Sequence, residues 1–82
     1  MLPGIAALAV RRQQIENGYR LEFAADKPSL TEIVTMIEAE RRCCRFLRFR
    51  LTAEPDHGPV SLEITGPRGT QEFLGDLVNP AT

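Results

Sequence analysis

Leu47, Phe49 and Leu51 alternate with Arg48 and Arg50, and beyond a turn Val60, Leu62 and Ile64 alternate with Ser61 and Glu63. Side chains of a strand point to opposite faces in turn, so this period of two predicts two amphipathic strands paired as a hairpin. Tyr19, Leu21 and Phe23 make a third strand of the same kind. Asn17-Gly18 before it signals another hairpin, because a type I′ turn needs positive φ at both central residues. The apolar segment Ile5-Ala6-Ala7-Leu8-Ala9-Val10 then reads as the fourth strand with its lead-in. Pairing across Asn17-Gly18 carries a tension, since it puts Arg12 and Gln14 on the face of Leu21 and Phe23. Either that end of the first strand leaves the core, or a bulge changes the register.

Between the hairpins the period changes. Ser29-Leu30-Thr31-Glu32 is a capping box, and from it Leu30, Ile33, Val34 and Ile37 form one stripe at 100° per residue. A second helix is expected from about Thr70, burying Phe73, Leu74, Leu77 and Val78 and stopping at Asn79-Pro80.

The two halves echo each other at a shift of 41 positions: Leu21-Glu22-Phe23 falls on Leu62-Glu63-Ile64, Ile33 on Leu74, Ile37 on Val78, and Leu8 and Val10 on Phe49 and Leu51. The matches respect strand alternation, turn and helix phase together, which marks a repeat. The expected fold is α+β, two strand–strand–helix repeats (ββαββα), with a four-stranded antiparallel sheet and two helices on one face. It forms a single domain, 1–82, with halves of about 5–44 and 45–82.

Composition narrows the class. The chain has 82 residues, 43 % hydrophobic and 26 % charged, an ordinary globular balance at the small end of what folds alone. A net charge of −1 gives no general pull toward nucleic acid or anionic lipid. No apolar run is long enough to span a bilayer, and the N-terminal segment lacks a basic region and runs into Arg11-Arg12, so a cytoplasmic protein is expected. The two cysteines are neighbours, so a disulfide between them would close a cramped ring and constrain almost no chain. Both are expected as free thiols. So small a core gains from extra burial, and a homodimer paired through the uncharged Ile5–Val10 segment is expected. The alternative is a monomer whose N-terminal segment folds over its own helices.

Candidate chemistry gathers where the first helix ends. Cys44 lies above Ile37 on the apolar stripe, Cys43 borders it, and Glu40 sits one turn below both. Two thiols with a carboxylate could hold a soft metal ion, Zn or Cu, so Cys43, Cys44 and Glu40 are the candidate metal ligands. Arg41, Arg42 and Arg45 could lower the thiol pKa and make the pair redox-responsive. The competing reading is a protein-interaction or structural domain in which the cysteines only pack. Met36 lies two turns from Cys43, and His57 sits in the Pro55-Asp56-His57-Gly58 turn, where it could approach only if the fold brings it there. The arginines interleaved with Phe46 and Phe49 suggest nucleic acid weakly, because alternation sends Phe49 inward and pairs Arg50 with Glu63. Gly66-Pro67-Arg68-Gly69-Thr70 lacks a phosphate-loop core and reads as a turn with a helix cap. No catalytic or cofactor-binding set stands out, so an enzyme is the least supported class.

The string Glu40-Arg41-Arg42-Cys43-Cys44-Arg45-Phe46, with Gly58-Pro59-Val60-Ser61-Leu62-Glu63-Ile64-Thr65-Gly66-Pro67 behind it, resembles a group of short uncharacterised bacterial proteins. They share Glu-Arg-x-Cys-Cys-x-Phe before a Phe-rich strand, more often with proline after the cysteines where this chain has Arg45. The resemblance implies that Glu40, Cys43 and Cys44 belong together.

Overall fold

The two hairpins meet along their inner strands. The computed structural model describes residues 2–78, in which β1 (Arg11–Ile15), β2 (Gly18–Phe23), β3 (Arg48–Ala53) and β4 (Val60–Thr65) form one antiparallel sheet in the order β1-β2-β4-β3. Helix α2 (Leu30–Cys43) follows the first hairpin and α3 (Thr70–Val78) the second, which is the ββαββα order of the repeat. Leu21 pairs with Leu62, its own counterpart at the shift of 41, so the repeats face each other across a local two-fold axis. On the helix side of the sheet Leu21, Phe23, Leu62 and Ile64 are fully buried. On the other side Arg20 pairs with Glu22 and Glu63, and Arg50 reaches Glu63 at 3.9 Å, the cross-strand pair expected from alternation.

The N-terminal segment corrects the expected strand. Leu2–Ala7 is a short helix, α1, so three helices rather than two cover the sheet. Leu2 and Ala6 are fully buried in the chain's own core, which takes away the strand edge expected to pair a dimer. The cause lies in the hairpin. Ile15 pairs directly with Gly18, leaving Glu16 and Asn17 as the loop, and only Asn17 of the two has positive φ, at 59°. Gly18 is therefore a strand residue. A Cβ there would overlap the Ile64 carbonyl oxygen, so glycine is demanded by the approach of β4 rather than by the turn. So tight a loop uses Arg11–Ile15 as the strand, and the apolar segment upstream must do something else.

The register tension resolves without a bulge: the loop moves back by one residue, which slides the pairing by two and keeps every side chain on its expected face. Arg12 lies opposite Leu21 and Gln14 opposite Tyr19, and this strand leaves the core. The Arg12 guanidinium donates to the Ala6 carbonyl at 3.0 Å, which also accepts the Ala9 N–H at 3.1 Å, and so places a positive charge at the C-terminal end of α1. Thus α1 supplies the apolar wall and β1 holds its end.

Helix α2 begins as expected, with Ser29 accepting from the Glu32 N–H and the Glu32 carboxylate accepting from the Ser29 N–H. These bonds hold the Glu32 carboxyl below its usual range. Its buried face, however, is Ile33 and Met36, with Ile37 partly covered, whereas Leu30 and Val34 are 45 % and 51 % exposed. The helix is turned toward α1. In α3, Thr70, Leu74 and Val78 are buried, but Phe73 is exposed and packs edge-to-face on Phe46 with ring centroids 5.5 Å apart. The expected stop at Asn79-Pro80 lies outside the described residues.

Candidate functional site

The helical phase of α2 carries Glu40, Cys43 and Cys44 to one end of the domain. Cys43 is the last helical residue, and Cys44 is the C-cap, its N–H donating to the Glu40 carbonyl at 2.7 Å. The Cys44 carbonyl then accepts from the Leu47 N–H at 3.1 Å, a turn that delivers the chain into β3. Leu47 is buried and anchors that turn, and Cys44 packs against the core beside it in the sequence order of the turn.

Both cysteines are free, and they differ. Cys43 is exposed, whereas Cys44 is half-buried. Burial pushes the Cys44 thiol above its ordinary pKa, and the negative charge of Glu40 and then of Cys43 pushes the same way. The expected lowering by Arg41, Arg42 and Arg45 therefore does not hold for Cys44. Those arginines are exposed, so water screens their charge.

Glu40 is half-buried, and its carboxylate accepts the Leu2 N–H at 3.2 Å, satisfying a free amide in the first turn of α1. Among the described residues no three His, Cys, Asp or Glu side chains gather in a position to hold a metal ion. What the end of α2 offers is a dithiol with a carboxylate within electrostatic reach of Cys44. Met36 is fully buried in the core. His57 is exposed in the β3–β4 turn, at the other end of the hairpin from the cysteines, with φ 55°.

The remaining candidates fall to structural roles. The Thr70 hydroxyl donates to the Pro67 carbonyl at 2.6 Å and Gly69 takes φ 95°, a turn and cap at the start of α3. Arg48 and Arg50 lie on the outer face of the sheet, opposite to the side of Phe49. A shallow groove between α1 and α2, lined by Gly4, Ile5, Leu8 and Thr35, contains one ionisable group, Glu32, already held by Ser29. No helix among the described residues is long and apolar enough to cross a membrane.

The exposure of Leu30 and Val34 and the Phe46–Phe73 contact were not legible in the sequence. The first depends on where α1 docks, and the second joins two elements that no periodicity relates. No family model matches the chain, and neither the curated proteins nor the solved structures contain a match to it.

Proposed function

We propose that this chain is a small binding module whose site is the Cys43–Cys44 pair with Glu40 beside it, and whose ligand is a soft, thiophilic cation. The observation that carries the reading is the placement of two free thiols and the Glu40 carboxylate along the last turn of α2, where burial first, and then the charges of Glu40 and Cys43, oppose ionisation of Cys44. A bound cation would relieve that repulsion, and thiolates favour soft ions. With no third protein ligand gathered at the site among the described residues, Cu(I), which accepts two thiolates, fits better than Zn(II) held in a closed tetrahedron. Free vicinal thiols suit a reducing compartment, so the cytoplasm is the proposed location.

Anaerobic titration followed by native mass spectrometry tests the reading. One Cu(I) per chain is expected, with affinity reduced at least about 100-fold in the Cys43→Ser, Cys44→Ser double variant. Failure of the wild type to retain Cu(I) or Zn(II) would sink it. The pH dependence has a definite sign. Thiols must lose protons to bind, and the raised pKa of Cys44 lets protons compete throughout the neutral range. Affinity should rise by about one to two log units per pH unit, one for each proton displaced, and level off only above the Cys44 pKa. A flat profile between pH 6 and 8 would show that the thiols are not the ligands.

The second reading is an interaction or structural domain whose cysteines only pack, favoured by the contact of Cys44 with the core and the use of Glu40 by α1. Thiol alkylation separates the two. A functional pair should label rapidly at Cys43 and slowly at Cys44, and Glu40→Gln should speed Cys44 alone by removing one of the charges that raise its pKa. Labelling of both thiols that added Cu(I) fails to slow would favour packing. The partner proposed for the module is a second copy of the same chain.

A further inference from the structure

We infer that two copies join through β3, antiparallel and centred on Leu51, to make one continuous eight-stranded sheet. The inference rests on the homodimer reading above and names its interface. The cover of the sheet runs out at this edge. Phe49 and Leu51 are only half-buried, although Ile64 and Leu62 beside them on β4 are fully buried. The other edge, β1, consists of Arg11, Arg12, Gln13 and Gln14 before Ile15, so pairing there would bury little apolar surface.

The hydrogen-bonding groups are set for it. The Glu54 N–H donates to the Pro59 carbonyl, toward β4, so by alternation Arg48, Arg50 and Thr52 also face β4. Phe49, Leu51 and Ala53 then point their N–H and C=O groups outward. Centring on Leu51 brings each of these opposite another of the three: Leu51 to Leu51 of the partner subunit, and Phe49 to Ala53 of the partner subunit, a large residue against a small one.

Charge on one side and the Pro55 backbone on the other select that register. On the outer face it sets Arg48 against Glu54 of the partner subunit and Arg50 against Thr52 of the partner subunit. Arg48 and Glu54 are exposed and have no ion-pair partner among the described residues. Slipping toward the N-terminal end of β3 places arginine directly against arginine, which is unfavourable. Slipping the other way opposes Phe49 to Pro55 of the partner subunit, which has no N–H to donate.

A charge swap tests the pairing, since Arg48 and Glu54 lie too far apart along one strand to meet within a chain. Light scattering at tens of micromolar should give twice the chain mass of 9.2 kDa. Arg48→Glu should raise the dimer dissociation constant roughly tenfold or more, because both symmetric contacts turn repulsive, and Arg48→Glu with Glu54→Arg should restore it. Both sites are exposed, and circular dichroism confirms that the variants fold. In the wild type, amide exchange at Phe49, Leu51 and Ala53 should speed up on dilution. A monomer mass for the wild type overturns the homodimer itself and leaves the edge to a different extended partner. A dimer unmoved by Arg48→Glu, with exchange at those three amides independent of dilution, overturns this interface while leaving the dimer standing.

Discussion

Deleting residues 2–9 is expected to unfold the chain rather than leave a smaller stable domain. Leu2 and Ala6 are fully buried and Ile5 is 9 % exposed, all within the single core. Burying a leucine or isoleucine side chain contributes about 1.5–3 kcal/mol, so these two alone account for about 3–6 kcal/mol. Whole domains of this size are stable by only about 0.05–0.15 kcal/mol per residue. The deletion also strips the Arg12 guanidinium of its carbonyl partners and Glu40 of the Leu2 amide. Thermal melts followed by circular dichroism decide the matter. A truncated chain that melts cooperatively within a few degrees of the full one would show α1 to be an ornament.

Ile33→Ala and Val34→Ala should differ by several kcal/mol although the residues are adjacent. Ile33 is fully buried, and large-to-small changes at such positions cost about 2–5 kcal/mol. Val34 is 51 % exposed on the same helix, and alanine there forfeits little burial while improving helix propensity, leaving a change within about 0.5 kcal/mol of zero. Denaturant titration of the two variants reads the rotation of α2 directly. Comparable losses would mean that the helix presents the broader stripe that its sequence suggests.

The thiol pair is set up by the same rotation. Turning α2 toward α1 carries Glu40 to the Leu2 amide and leaves Cys43 in solvent with Cys44 against the core. A site and a structural joint therefore share one helix end. Substitutions at Glu40 should be read for stability as well as for binding.

Strand alternation, the capping box at Ser29 and the 41-residue echo were enough to determine the second hairpin, the strand Tyr19–Phe23, the start of α2, the ββαββα order and even the Arg50–Glu63 pair. These features rest on local geometry: a period of two, a period of 3.6 and a cap made within one turn of backbone. The placement of Glu40, Cys43 and Cys44 along the last turn and cap of α2 was legible for the same reason, being helical spacing alone. Tertiary structure decided the rest. Ile5–Val10 is apolar without clear periodicity, and such a run suits a strand or a buried helix equally. Its first three residues join Leu2–Gly4 in α1 because the two-residue loop at Glu16-Asn17 assigns Arg11–Ile15 to the sheet and leaves a helix-side gap that Leu2 and Ile5 fill. That docking then chose which of the apolar directions of α2 is buried, exposing Leu30 and Val34, and it gave Arg12 a carbonyl partner in α1 and Glu40 an amide partner 38 residues away. No pattern within a single element encodes such choices, because each is settled by whichever neighbour removes the most apolar surface from water.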